Sequence, residues 1–374
     1  MKQSLTFIFW PALTGLFAAL LILDLWVLPL NSAADATLEP VSYATAVQEA
    51  TPSVVNIYTA KLVQEAPNSL PEGLNSRRVG QPRSQRQRIE RSLGSGVIMT
   101  ARGHILTNNH VIAEADAIQV MLNDGRSASA LVIGSDSATD LAVLQVQLTD
   151  LQPMSLGDSD TARVGDVVLA IGNPLGFGHS VTQGIVSALG RFGLQRDIYE
   201  DYIQTDATIH LGNSGGALID TSGRLLGINT LIYAANNQTQ SANTGIGISL
   251  AIPVNLAVFV MQDLINYGEV IRGWLGVSVE PIRAMSARGN RTLALAVATV
   301  AMGSPAQKAG IKAGDIITHI DGDEVKDGRL TMHQIAMLKP GDTVAISLQR
   351  NQQSLDLNAV VGILKDSTET KASR

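Results

Sequence analysis

At 374 residues with a net charge of −6, the chain is too long for one ordinary core and has no broad cationic surface for nucleic acid. The absence of cysteine excludes disulfides, thiol catalysis and Cys-ligated zinc. Aromatic residues make up only 4% of the chain and glycines number 34, so short apolar runs punctuated by glycine point to a β-rich fold.

Residues Ser4 to Leu23 carry no charge, and apolar residues resume after Asp24. About twenty apolar residues cross a bilayer as a helix, whereas the apolar core of a cleaved signal is about 7–15 residues long. Residues 1–35 therefore read as a retained signal-anchor: an N-terminal transmembrane helix, Lys2 on the cytoplasmic side, the bulk of the chain exported. Cleavage within the small residues Asn31 to Ala36 is the competing expectation. Ser42 to Ala50 reads as a short helix stopped by Pro52, ahead of strand-like Val54 to Tyr58. Gln64 to Ser92 is polar and rich in proline and arginine, which predicts a solvated loop or a docking surface for an acidic partner.

Short apolar segments follow at 96–99, 104–107, 117–122, 128–133, 141–146, 167–171, 181–187, 202–205 and 247–252, with a hairpin over 216–230. Tight turns are expected at Asn123 to Arg126 and Thr221 to Arg224. Many short strands with almost no helix predict an all-β barrel or sandwich pair. Asn255 to Tyr267 is the convincing helix, with Asn255 as N-cap, Gly268 as stop, and Leu256, Phe259, Val260, Leu264 and Tyr267 on one face. A second unit of mixed α+β composition begins near Ile271, with strands at 293–300, 314–320, 343–349 and 354–361 and a helix at 331–338. Lys365 to Arg374 reads as a frayed tail.

The chemistry centres on Gly212-Asn213-Ser214-Gly215-Gly216, where one hydroxyl sits among three glycines and an asparagine. Glycine admits positive φ and close approach, so such a turn can present Oγ beside N–H groups aimed at one spot. Upstream, His110 directly follows a predicted strand and Asp140 stands at the edge of another. Histidine suits proton transfer near neutral pH, and a buried Asp can hold its Nδ1–H and leave Nε2 to take the serine proton. Alone, His110 reads as a structural histidine, Asp140 as a turn residue and Ser214 as an idle hydroxyl. The order His, Asp, Ser on an all-β background is that of the chymotrypsin-like proteases.

GSGVIM (94–99), ILTNNHVI (105–112), TDLAVL (139–144), VLAIGNPLG (168–176), IQTDATI (203–209), GNSGGAL (212–218) and GISLAIP (247–253) resemble the HtrA family of trypsin-like serine proteases. Gly303 to Ile320 resembles the signature of a PDZ domain. The resemblance implies a mainly β chain with a chymotrypsin-like double β-barrel over 36–268, one α+β PDZ domain over 269–364 and a flexible tail over 365–374. It implies Ser214 as nucleophile, His110 as general base and acid, Asp140 as orienter, and the amides of Gly212 and Ser214, flanking Asn213, as oxyanion hole. Ile248 and Leu250 would line an apolar S1 pocket, although Ser249 and Leu250 replace the Gly and Phe frequent in the family. No metal or other cofactor is implied.

In PDZ domains a loop before a strand binds a peptide's C-terminal carboxylate, and the peptide extends the sheet; Trp274, Leu275, Gly276 and Val277 stand there. By resemblance to members with one anchor and one PDZ domain, C-termini of misfolded outer-membrane proteins activate cleavage of a membrane-bound anti-sigma factor. The protein would then be a homotrimer held in the bacterial inner membrane with its domains in the periplasm, and no nucleic acid is involved. The sensor loop would be Leu189 to Gly193, with Arg191 relaying the signal. His210-Leu211 replaces the family's usual pair before the Gly-Asn-Ser, which bears on whether the oxyanion loop rests formed or collapsed. His179 and His210 are near the site by sequence, but neither is placed to replace His110. A general degradative periplasmic protease/chaperone with a cleaved signal, and a chaperone or PDZ-type binding scaffold with an inactive protease site, are the alternatives.

Overall fold

The computed structural model describes residues 11, 13–19, 21, 42–64, 87–173, 178–191, 201–210, 212–232, 248–285, 291–325 and 328–363. Within the expected anchor, Pro11, Leu13 to Ala19 and Leu21 are helical, and the remainder of that expectation lies outside the described residues, as does the tail. Among the described residues no helix is long and apolar enough to cross a membrane.

Helix α1 (Ala44–Ala50) buries Ala46 and Ala50 and ends in a tight turn at Pro52. The first sheet comprises β1 (Val54–Gln64), β2 (Gln87–Ile98), β3 (His104–Asn108), β4 (Ala117–Met121), β5 (Ser127–Ser129), β6 (Leu131–Asp136) and β7 (Leu141–Gln145), with the short helix α2 (Asn109–Ile112) after β3. Its strand order is β5-β4-β1-β2-β3-β7-β6. The β1–β2 ladder runs from Val54↔Val97 out to Gln64↔Gln87, so part of the stretch read as a loop is a hairpin arm. Apolar Val55, Ile57 and Val97 fix the register at its buried end. Beyond them the two strands stay paired out to Gln64↔Gln87, and Asp116 accepts from Leu62 N at 2.7 Å.

The second sheet, β8 (Val167–Gly172), β9 (Ser180–Arg191), β10 (Tyr202–Thr205), β11 (Ala217–Asp220), β12 (Leu225–Ile232) and β13 (Ser249–Pro253), closes as a barrel in the order β10-β13-β12-β11-β8-β9. The expected double barrel is thus a closed barrel beside a seven-stranded sheet. After β5, Ala130 still donates to Ile118 on β4, and the chain then crosses to pair β6 with β7. Ile57, Ile98, Ile105, Val120 and Leu144 form the core of the first sheet, and Val168, Ala170, Ile203, Leu218 and Ala251 that of the barrel.

Helix α3 (Val254–Tyr267) buries Leu256, Val260 and Leu264, and Gly268 at φ 79° ends it by donating to Leu264 O. Two expectations fail here. Pro253 precedes the helix and Asn255 donates instead to Asp158 at 2.8 Å, while Tyr267 is 61% exposed because the apolar stripe ends one turn earlier.

The second unit contains β14 (Gly273–Trp274), β15 (Val277–Met285), β16 (Arg291–Val300), α4 (Pro305–Lys308), β17 (Ile316–Ile320), β18 (Asp323–Glu324), α5 (Gly328–Met337), β19 (Thr343–Arg350), β20 (Gln353–Val360) and β21 (Gly362–Ile363). Its main sheet runs β15-β16-β17-β19-β20, with β18 on β17, and β14 pairs with β21. Leu275, Leu295, Ile317, Ile335, Val344 and Val361 build its core. Beneath the sheet, buried Asp315 takes Arg350 through two contacts of 2.7 Å. Burial pushes that carboxyl up, but the Arg350 guanidinium and the Lys312 N–H prevail and hold it below the usual carboxylate value.

Side chains tie the two domains together. Arg272 of the connecting segment reaches Asp136 at 2.5 Å. Lys339 pairs with buried Asp263 of α3 and stands 3.9 Å from the centre of the Phe259 ring. His333 on α5 faces Asp201 at 4.0 Å, across a cavity of about 610 Å³ that Asp160 and Glu324 also line.

Candidate active site

The site forms where β3, the β6–β7 turn and the β11–β12 hairpin converge. Helix α2 begins immediately after β3, which fixes His110 at the sheet edge. Asp140 closes the β6–β7 turn at φ 56°, a left-handed conformation that aspartate tolerates better than most residues. Its carbonyl accepts from Asn109 N and Asn108 Nδ2, each at 3.0 Å. Its Oδ1 accepts from His110 N at 2.9 Å, and its Oδ2 lies 2.6 Å from His110 Nδ1 and accepts from Thr230 Oγ1 at 2.9 Å. One residue therefore fixes both the backbone and the ring of His110. With Nδ1 as donor, Nε2 is left as the acceptor that a proton transfer requires.

Ser214 Oγ donates to Thr230 O at 2.9 Å, and among the described residues it makes no hydrogen bond to His110. The histidine and aspartate are engaged while the hydroxyl is turned onto a neighbouring carbonyl.

Around Ser214 the glycines are sterically required. A Cβ on Gly215, which sits at φ 81°, would lie 2.2 Å from Ser95 O, and one on Gly216 would lie 2.3 Å from Ile171 O. Gly212 sits at φ 95° and Asn213 N donates to His210 O at 2.9 Å. That sign of φ is what a type II turn needs at its third position. Asn213 is fully buried against Gly172, and among the described residues neither of its side-chain amide atoms has a hydrogen-bond partner.

Of the two candidate S1 residues, Leu250 on β13 is almost fully buried and Ile248 just before it is half-buried. The strand pairs with β10 and β12, so the barrel wall fixes its position. The expected sensor loop differs from expectation: Leu189, Gly190 and Arg191 end β9, because Arg191 is paired in register with Tyr202 of β10. Arg191 donates to Gln204 Oε1 at 2.8 Å, and a Cβ added at Gly190 would lie 3.8 Å from Leu330 of α5. Phe192 and Gly193 lie outside the described residues, as does Leu211. His210 is exposed, and His179 makes a 2.9 Å contact with Val54 O while burial pushes its pKa down. Among the described residues no group of His, Asp and Glu could hold a metal ion.

In the second domain, Trp274 belongs to β14, Leu275 is buried and Gly276 turns at φ 79° into β15. The carbonyls of Leu275 and Gly276 accept from Ala306 N and Ala301 N, so their peptides are held before the strand starts. Among the described residues β15 is the edge of its sheet, with β16 on one side only. Thr230, Asn108 and Ser95 are site residues that sequence reasoning missed. Ser95 and Asn108 lie inside quoted motifs, whereas Thr230 bears no positional signal because only the fold brings it to Asp140.

A trypsin-like peptidase domain model matches residues 94–228, and a PDZ domain model matches residues 273–361. The chain is 41% identical to the serine endoprotease DegS of Escherichia coli (strain K12) over 332 residues, 87% of this chain and 88% of that one. It is 44% identical over 286 residues to the periplasmic pH-dependent serine endoprotease DegQ of the same organism, 75% of this chain and 61% of that one. A solved structure, the HtrA-type protease AlgW with decapeptide, superimposes with a TM-score of 0.66 at 47% identity, covering 87% of this chain and 99% of that one. Two matched domains in the same order, and identity above 40% across most of the length, show that the chain belongs to the HtrA-type family of trypsin-like serine endoproteases.

Proposed function

We propose that this is a periplasmic regulatory endopeptidase, anchored in the inner membrane, that rests inactive until a C-terminal peptide occupies its PDZ domain. Activation turns Ser214 Oγ from the Thr230 carbonyl to Nε2 of His110. His110 then takes the hydroxyl proton as Oγ attacks the scissile carbonyl, and the oxyanion meets the N–H groups of Gly212 and Ser214. The imidazolium, stabilised by Asp140, returns its proton to the leaving amine as the C–N bond breaks. Water, deprotonated by the same His110, hydrolyses the acyl-enzyme. Ile248 and Leu250 would face a small aliphatic P1 side chain.

The observation that carries the regulatory reading is the Ser214 hydroxyl, engaged with Thr230 while His110 and Asp140 are already paired. The approach of Gly190 to Leu330 supports a route from the PDZ helix to the end of β9, where Arg191 is the proposed relay. The activators would be C-termini of misfolded outer-membrane proteins added to the edge of β15 and held at Trp274 to Val277. The substrate would be the periplasmic domain of a membrane-bound anti-sigma factor, and the working assembly a homotrimer. The test is cleavage of such a domain with and without peptides ending in an aromatic residue, using Ser214→Ala as the control. Stimulation by the peptide and its loss in the variant are expected. Cleavage indifferent to every C-terminal peptide would favour a degradative role.

A further inference from the structure

We propose that Ser95 is a positioning residue for the oxyanion hole: one buried side chain and its own backbone grip the loop on both sides of the Ser214 amide. The proposal rests on the serine-protease reading. Ser95 lies near the end of β2 and is fully buried. Its Oγ donates to Gly212 O at 2.7 Å and accepts from Asn173 N at 3.0 Å. Its N–H donates to Ser214 O at 2.8 Å, and its carbonyl accepts from Thr107 Oγ1 at 2.8 Å. It therefore joins the nucleophile loop, the end of β8 and the strand that leads into His110.

Counting the peptide groups one by one shows what these bonds do. The Gly212–Asn213 peptide is held at its carbonyl by Ser95 Oγ and at its N–H by His210 O. The Ser214–Gly215 peptide is held at its carbonyl by Ser95 N and at its N–H by Asn229 O. Between them, Gly216 N fixes the carbonyl of the Asn213–Ser214 peptide, so the direction of the Ser214 N–H is determined. Without the Ser95 hydroxyl the Gly212–Asn213 peptide, which lies between the two donors, loses one of its two anchors among the described residues, and the donors lose their common aim. A donor is effective only when it is preorganised toward the place where charge develops.

The test compares Ser95→Ala and Ser95→Cys, the latter keeping the size with a poor donor. With activating peptide saturating, kcat on an internally quenched peptide with valine at P1 is expected to fall about 10- to 100-fold in S95A, less than the about 10²–10³ for deleting a donor outright. In an S214A background, Kd for the same peptide is expected to stay within about twofold, because ground-state binding does not use the hole. Inhibition by a peptide boronic acid, whose tetrahedral adduct fills the hole, is expected to weaken by the same factor as kcat/KM. S95C should lie between wild type and S95A, and it replaces S95A in every comparison if the alanine variant does not fold. Wild-type kcat in whichever variant folds overturns the proposal, as does a fall in kcat with unchanged boronate affinity. Failure of the wild-type enzyme to bind the boronate would instead count against the serine-protease reading itself.

Discussion

Thr230→Val tests whether the orientation of Asp140 depends on a third side chain that no sequence motif marks. Valine replaces threonine at nearly equal volume and removes only the hydroxyl that donates to Asp140 Oδ2 at 2.9 Å. The Asp140 side chain is 15% exposed, so water replaces the lost donor poorly. A hydrogen bond to a charged group contributes about 1.5–3 kcal/mol. At about 1.4 kcal/mol per decade, kcat/KM should fall about 10- to 100-fold if the carboxylate must be held to stabilise the imidazolium. The Thr230 carbonyl, which takes the Ser214 hydroxyl, is untouched, so the change reads the carboxylate alone. The assay is kcat/KM with saturating activating peptide, with thermal unfolding to confirm an intact fold. Thr230→Ser keeps the hydroxyl and should retain activity within a few-fold. A T230V enzyme within twofold of wild type would refute the reasoning, because His110 would then be oriented well enough by its own contacts with Asp140.

Two further predictions concern pH and stability. Burial of His333 between the domains, aided by Arg272 and opposed by Asp201 and Asp160, lowers its pKa, so its stabilising contribution is present above the ordinary value and lost as pH falls through it. His333→Gln should therefore lose less in thermal unfolding midpoint between pH 7.5 and pH about 5.5 than wild type, and equal losses would refute it. Asp315 is held below its ordinary value by Arg350, so its contribution is present above that value and lost as pH falls toward the folded one. Arg350→Met strands a carboxylate that is 1% exposed and should destabilise the PDZ domain by about 3 kcal/mol in urea unfolding at neutral pH, and an unchanged midpoint would count against it.

The fold was legible wherever local pattern and tertiary environment agree. Asn123 to Arg126 turns as its Asp-Gly implies, with Leu122 N on Arg126 O, and Gly268 ends its helix in the left-handed conformation. His110 and Asp140 were legible because each stands at a strand boundary. The outer β1–β2 arm was not, because its pairing is a backbone property and its side chains read as loop. Asn255 misled because a good capping residue found a better partner in Asp158, 97 positions away. Thr230 and the grip of Ser95 on Gly212 were not legible, because both are long-range contacts made by residues common in any strand.

The candidate triad and the oxyanion loop differ in how their side-chain polar groups are satisfied. Around Asp140 both carboxylate oxygens and the carbonyl are engaged, so displacing the residue breaks bonds to a charge. Among the described residues, both amide atoms of Asn213, Asn173 Nδ2 and Asn229 Oδ1 are buried without a hydrogen-bond partner around the loop, as is Asn108 Oδ1 beside Asp140. A buried polar group without a partner costs about 1–3 kcal/mol. Carrying a two-state element from about 1:99 to 99:1 requires about 5.5 kcal/mol of differential binding. Under the proposed activation, each such unpartnered amide lowers by about 1–3 kcal/mol what a peptide at the PDZ domain would have to supply. In the proposed activation the side-chain amides around the loop are therefore the groups that can gain partners, while its backbone stays tethered by Ser95, Asn229 and Gly216 and the His110–Asp140 pair keeps its bonds.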